Sequence, residues 1–409
     1  MTEKSEKKNK IYEQKRYFAL ALDPIYVGTG GYRIGRVDNT IVREPATGIP
    51  KIPGTTIEGV CRSYAFLKAK GNGMLDESKY DAGKHPLACA KGKKTKVKEK
   101  IEENDKEKIV EHEKEPCGNC EICVTFGYTT DKESMQAMAS FSDARILFFP
   151  VATMVGPVWV TCPMVLKDAG IDVSETPESE KFIAVMDLER ILPSSEGDSD
   201  SDSSNKTKIL NFGWLLLEGE CKEINPPIAD IPKEILSRIV IISDTLFPTI
   251  VNSNLEVRTS VSIDPERGAA EEGALFTYEA IPRGTIFWFD ITYQNPKYFG
   301  LDEWNIEIIR KTVEDGLKYF EFLGAGGMSS RGFGRARIYG DFLNLEEYLN
   351  ALKERLDILK SRGRNEKIQE YIDYLKVLKS RLEKQKEEMK KLVEKIDKVI
   401  NEVKGEEND

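Results

Sequence analysis

The sequence predicts a core of mixed helices and strands carrying a helical C-terminal extension, and three observations predict it. Runs rich in β-branched and aromatic residues recur at 16–27, 140–166, 209–218 and 238–243, which is strand composition. Helical periodicity interrupts them at Thr55–Ala69, behind Pro53 and Gly54, and at Asn305–Leu323. From Leu345 the character changes: Ile368, Tyr371, Leu375, Leu378 and Leu382 begin a seam that continues to Ile396, Val399 and Val403 with charges between. The resulting division is a core at 1–343 and an extension at 344–409. A helix at 345–360 folding back across Ser361, Arg362 and Gly363 gives a helical hairpin. A single long amphipathic helix packed on the core or on a partner fits the same pattern.

Within the core, RYFALALDPIYV (16–27) reads as a strand entering a glycine-rich turn, and Thr55 or Thr56 as the cap of the first helix. Residues 72–136 read as an insertion whose charged middle is solvated or partly helical. SSEGDSDSDSSNKTK (194–208) reads as a disordered acidic loop. Residues 255–292 hold two strand-like runs around a glycine-containing tip, a long hairpin. Such a hairpin is either a finger that packs over RNA and splays a base or an ordinary sheet edge.

Bulk composition sets limits. With 409 residues and 40 % apolar content the chain can bury a sizeable core. It has no run of about 18 apolar residues and no apolar stretch near the N-terminus, so a cytoplasmic protein without a membrane span is expected. Seven cysteines in such a chain argue against a disulfide framework. The net charge of −9 is unevenly spread: residues 1–70 carry 13 Lys/Arg against 7 Asp/Glu, and residues 172–204 carry 2 against 10. A basic face can therefore survive on an acidic protein.

The densest chemistry lies between Gly28 and Arg62, in GTGGYRIGRVDNTIVREPATGIPKIPGTTIEGVCR. Glycines let backbone N–H groups approach a phosphate chain, and arginines nearby supply charge. Asp38 is the carboxylate beside the glycine turn. It is either an Asx-turn residue or a group that binds a divalent cation or orients a ribose 2′-OH. The chain's two histidines, His85 and His112, both fall in the insertion, so phosphodiester cleavage here would rest on a carboxylate, a metal ion and cations rather than a histidine pair. Cys117, Cys120 and Cys123, with Cys89 or His85 as fourth ligand, have the spacing of a structural zinc site, and reduced thiols are the alternative. GAGGMSSRGFGRARI (324–338) reads as a second phosphate-embracing loop or a tight turn with solvated arginines. It lacks the Lys-Ser/Thr end of a P-loop.

These blocks together resemble the RAMP superfamily of CRISPR proteins. REPATG, FSDARILFFPVATMVGPVWVTCPMVL and RTSVSIDPERGAAEEGALFTYEAIP are similar to the backbone subunit of Cmr-type (type III-B) effectors. The resemblance implies a ferredoxin-like, RRM-like α+β fold with a lid and a thumb, the thumb matching 255–292. It implies copies stacked in a helical filament on CRISPR RNA beside other Cmr-type subunits, and cleavage of complementary target RNA at regular intervals. It implies Asp38 as the catalytic residue with Mg²⁺ or another divalent ion. It implies guide-RNA contacts from Gly28, Gly30, Arg36, Arg43 and Arg62 in the first motif and Gly326, Gly327, Arg331 and Arg335 in the late loop. The cysteine insertion looks more like the zinc-bearing lid of type III-A backbone subunits, the extension departs from the family pattern, and Glu58 stands where a lysine is common. Alternatives are a type III-A-like subunit, a non-catalytic guide-binding filament subunit, and a zinc-stapled structural protein.

Overall fold

The computed structural model describes residues 10–30, 37–75, 80, 83–103, 106–172, 176–194, 207–224, 231–383 and 390–405. Strand β1 (Tyr12–Ala21), the short β2 (Lys51–Ile52) and helix α1 (Gly54–Gly71) open the chain. The insertion supplies α2 (Pro86–Lys91), β3 (Thr95–Glu103), β4 (Lys106–Lys114), α3 (Glu121–Phe126), β5 (Tyr128–Thr129) and β6 (Ser134–Met135). Then come β7 (Ala139–Phe141), β8 (Ala144–Thr153), β9 (Gly156–Thr161), α4 (Pro163–Asp168), β10 (Lys181–Val185), β11 (Lys208–Phe212) and β12 (Leu215–Lys222). Helix α5 (Lys233–Leu236), β13 (Ile239–Ile242) and α6 (Phe247–Ser253) lead to a hairpin of β14 (Glu256–Asp264) and β15 (Ala269–Ala280). Strand β16 (Ile286–Gln294), α7 (Ile306–Leu317), α8 (Phe320–Leu323) and β17 (Ala336–Gly340) close the core, and α9 (Leu345–Ser361), α10 (Asn365–Glu383) and α11 (Lys390–Gly405) form the extension.

One mixed sheet organises these elements, in the order β11-β12-β10-β13-β9-β8-β16-β1-β17, with β2 on β8 and β7 on β16. Among the described strands of this sheet, β10/β12 and β9/β13 pair in parallel. At the β17 end, β17, β1, β16 and β8 are successive antiparallel neighbours. Ile146 to Phe149 of β8 are all buried, as a central strand requires, whereas β1 buries only alternate residues along Tyr17, Ala19 and Ala21. Helix α1 turns Ile57, Cys61, Ala65 and Ala69 inward at helical spacing and crosses α7. Its first N–H is taken by Asp143 Oδ1, 2.8 Å from Gly54 N, so the cap comes from across the fold rather than from Thr55 or Thr56.

Several sequence expectations change. The first strand is Tyr12–Ala21 rather than 16–27. The charged middle of the insertion is not helical: β3 and β4 form an antiparallel ladder, with exposed lysines such as Lys96 and Lys98 opposite Glu113 and Glu111. Cross-strand charge pairs replace the apolar alternation that would have announced it. The 255–292 hairpin ends at Ala280, and the following TIFWFDITY run contributes a central strand between β8 and β1. Residues 195–206 of the acidic loop lie outside the described residues.

The extension turns at Arg362 and Gly363 as its sequence indicates, but the seam is carried by two helices, α10 and α11. Leu349, Leu352, Leu356 and Leu359 of α9, Tyr371 and Leu375 of α10, and Ile396 of α11 belong to the same apolar core as the sheet. Arg355, 2 % exposed, lies with its guanidinium 3.2 Å from the centre of the Trp304 ring. Tyr371 donates to Glu121 Oε1 at 2.9 Å, joining α10 to α3 of the insertion. The extension is thus packed into the body of the protein. No described helix is long and apolar enough to cross a membrane.

Candidate nucleic-acid interface and metal centre

The first glycine loop is stitched between two other segments. Val42 N donates to Val27 O at 2.9 Å and Thr29 N to Thr40 O at 3.2 Å, so residues 40–42 run back along 27–29. On the other side Asn39 N donates to Thr277 O and Glu279 N to Asn39 O, both at 3.0 Å, which ties the loop to β15. Asp38 sits in this seam, half-buried. Its Oδ2 accepts from both Thr277 N and Thr277 Oγ1 at 2.8 Å, and its own N donates to Thr277 Oγ1 at 3.0 Å. The carboxylate is therefore held by a residue 239 positions away rather than by its own turn, which is not an Asx-turn arrangement. The backbone N–H of Thr277, then its hydroxyl, hold the Asp38 pKa below the usual carboxylate range. A carboxylate so held stays ionised, which suits charge stabilisation or cation binding better than proton donation.

The second glycine loop lies against the first. Gly327 N donates to Tyr26 O at 2.8 Å and Gly334 N to Pro24 O at 2.9 Å. At Gly326, φ is +89° and a Cβ would stand 2.4 Å from Tyr26 O, so only glycine allows this approach. The Tyr26 ring meets Tyr278 of β15 edge-on at 5.5 Å and Phe333 of the late loop at 6.5 Å. From β14, the Arg258 guanidinium lies 4.6 Å from the Phe333 ring centre and donates to Gly332 O at 3.3 Å. First loop, late loop and hairpin base therefore converge around Tyr26.

Of the residues predicted from sequence, Gly28, Gly30, Gly327, Arg331 and Arg335 are exposed in these loops, with Gly326 beneath. Arg335 forms an ion pair with Asp23 at 2.5 Å, and this lowers the Asp23 pKa, with Arg283 and Arg258 contributing through space. Arg36 lies outside the described residues. Arg43 is 27 % exposed, and each guanidinium nitrogen already holds a partner: Glu279 at 2.6 Å, Asn252 at 3.0 Å and Ile41 O at 3.1 Å. It latches the loop to β15 and α6, and its charge is not free for a phosphate.

Arg62 is a correction. It is 8 % exposed and donates to Phe126 O, Cys89 O and Gly127 O, so it points into the cysteine cluster and cannot contact RNA. Sequence reasoning missed Tyr26, Arg258, Thr277, Tyr278, Arg283 and Phe333. Arg258, Thr277 and Tyr278 lie in blocks quoted above for resemblance, yet nothing in their spacing singles them out.

The four cysteine sulfurs, of Cys89, Cys117, Cys120 and Cys123, lie within 4.8 Å of one another. A tetrahedral zinc with Zn–S near 2.3 Å sets neighbouring sulfurs about 3.8 Å apart, so the donor set fits a closed structural site. Cys117 N points at Cys89 Sγ at 3.2 Å and Cys123 N at Cys120 Sγ at 3.4 Å, N–H···S bonds that suit thiolates. His85 is outside the group: its Nδ1 caps α2 by accepting from Leu87 N at 3.1 Å. At Asp38 the fit to a magnesium ion is of a different kind. One carboxylate is present, and the remaining ligands would be water and RNA phosphate, a common arrangement for this ion.

The chain is 28 % identical over 277 residues to the CRISPR system Cmr endoribonuclease Cmr4 of Pyrococcus furiosus, covering 65 % of this chain and 77 % of that protein. Similar solved structures include oligomeric Cmr4 from Pyrococcus furiosus, at 20 % identity, 81 % and 99 % coverage and a TM-score of 0.45. A type III-B Cmr-beta complex bound to cognate target RNA has a chain similar at 14 % identity, 81 % and 98 % coverage and a TM-score of 0.49. The RAMP superfamily model matches residues 19–337, from within β1 to within β17. On that match, which spans most of the sequence, the chain belongs to the RAMP superfamily.

Proposed function

We propose that this chain is the repeated backbone subunit of a type III-B CRISPR ribonucleoprotein, which binds CRISPR RNA and cleaves complementary target RNA at regular intervals. The observation that carries this reading is the convergence around Tyr26 of two glycine loops and a hairpin base bearing Arg258. Their exposed glycine backbone and arginines suit a ribose-phosphate strand. The antiparallel order β17, β1, β16, β8 with α1 and α7 supports the ferredoxin-like, RRM-like core, and the β14–β15 hairpin supports a thumb. The named relative is an endoribonuclease, which supports cleavage here. Other copies of this chain, in a helical filament, and other Cmr-type subunits are the expected partners.

In this reading Asp38 provides the negative charge at the scissile site and would hold Mg²⁺ or a similar ion, which would supply charge stabilisation to the phosphate, and Thr277 fixes the carboxylate. Gly28, Gly30, Gly326, Gly327 and Arg331 follow the guide strand, Arg335 joins them from its ion pair with Asp23, and Arg283, with Arg258 from its ion pair with Glu256, extends the basic surface. The cysteine cluster holds a structural Zn²⁺ that closes the insertion. Its presence also favours, as a second reading, a type III-A-like backbone subunit. In the assembled complex, Asp38→Ala is expected to abolish target cutting while guide RNA remains bound. Normal cutting by that variant assigns the chain to the non-catalytic, guide-binding class.

A further inference from the structure

We infer that Arg62 is the counter-charge and mechanical joint of the cysteine-bound metal, fastening that centre to core helix α1. The inference rests on the zinc reading above. Arg62 Nη2 donates to Cys89 O at 2.7 Å and to Gly127 O at 2.8 Å, and Nη1 donates to Phe126 O at 3.1 Å. Cys89 lies in α2, while Cys120 caps α3 and Cys123 lies within it, so one guanidinium holds the C-terminal carbonyls of both ligand-bearing helices. The fit leaves no slack. Gly92, the residue ending α2, has φ +65°, and a Cβ there would stand 2.5 Å from Arg62 Nη2.

Charge makes the stronger argument. A buried guanidinium is costly unless offset. Among the described residues, the carboxylate in ion-pair range is that of Glu58, at 3.8 Å, and Arg62 Nε has no hydrogen-bond partner. Four neutral thiols would add nothing. A divalent ion on four thiolates carries two net negative charges in a buried setting, which a neighbouring cation offsets. The same three carbonyl bonds orient the ligand-bearing backbone, the role that groups outside the ligand shell play at metal sites. Metal binding and the seating of α1 are thereby coupled.

The test uses the full chain with Arg62→Gln and Arg62→Lys. Zinc affinity is read by competition with a chromophoric chelator, and ligand geometry from the absorption of the Co²⁺-substituted protein. Wild type is expected to hold one metal ion with a tetrahedral thiolate spectrum. Arg62→Gln is expected to weaken zinc by about 10–100-fold, the usual effect of removing such a supporting group. Arg62→Lys, which keeps the charge but not the three-carbonyl fork, is expected to fall between. A folded Gln variant that holds zinc within twofold of wild type overturns the inference. If the Gln variant does not fold, a Lys variant equal to wild type overturns it. A wild-type chain that takes up neither zinc nor cobalt removes the metal reading itself, and the inference with it.

Discussion

Gly326→Ala probes the junction on which the nucleic-acid reading depends. Its φ of +89° is one an alanine adopts only with strain of about 1–2 kcal/mol. The new Cβ would also lie 2.4 Å from Tyr26 O, so backbone must move, at an added cost of about 1–3 kcal/mol. Gly363→Ala is the matched control, because φ is +66° but the Cβ meets nothing within 4 Å. Loss of unfolded-state entropy affects both variants alike and cancels in their difference. For 409 residues the unfolding entropy is roughly 0.9 kcal/mol/K near 60 °C. The control should therefore lose about 1–2 °C in Tm and Gly326→Ala about 2–6 °C. Displacement of Gly327 N from Tyr26 O should also separate the two loops, so guide-RNA affinity should fall at least tenfold for Gly326→Ala and stay unchanged for Gly363→Ala. Scanning calorimetry and RNA filter binding on the same samples read both effects. A Gly326→Ala protein matching the control in both would refute the claim that the two loops act as one surface.

Other expectations follow from the same structure. Leu352→Ala in α9, fully buried, should cost about 2–5 kcal/mol, or roughly 2–6 °C in Tm, because the extension is core; a shift under 1 °C would mean that it is a loose arm. Tyr371→Phe removes the bond to Glu121 and should cost about 1 kcal/mol, measured by the same scan. The Asp38 carboxylate has a depressed pKa, so its folded-state ionisation persists above that value and is lost only as pH falls through it. The Asp38-dependent acid limb of cleavage should accordingly lie below the ordinary aspartate pKa of about 3.9, and a limb near pH 6 would mean another group titrates. Guide binding should weaken steeply with salt through counterion release, yet survive deletion of residues 194–208, checked by salt-titrated filter binding.

What the sequence made legible was local chemistry. The cysteine spacing pointed to a four-ligand metal site, with Cys89 or His85 as the fourth ligand, and geometry selects Cys89. The glycine-rich stretches marked loops, and Arg362-Gly363 marked the turn between α9 and α10. Partners distant in the chain were not legible. Thr277 carries no special residue type, and its importance comes from lying opposite Asp38 across 239 residues. Arg62 follows the first glycine motif and reads as a phosphate ligand from its neighbours, but it leaves the inner face of α1 toward the insertion. The β3–β4 ladder places charged residues opposite one another, as at Lys98 and Glu111, and neither strand shows the apolar period that announces a strand.

The measurement closest to the central claim is site-resolved crosslinking of the assembled complex on a guide RNA carrying 4-thiouridine at single positions. The account predicts that the same or adjacent nucleotides crosslink to peptides containing residues 24–30 and 324–335, with Asp38 on the neighbouring peptide. Crosslinks from those two peptides to separate stretches of guide, or from neither, would contradict it.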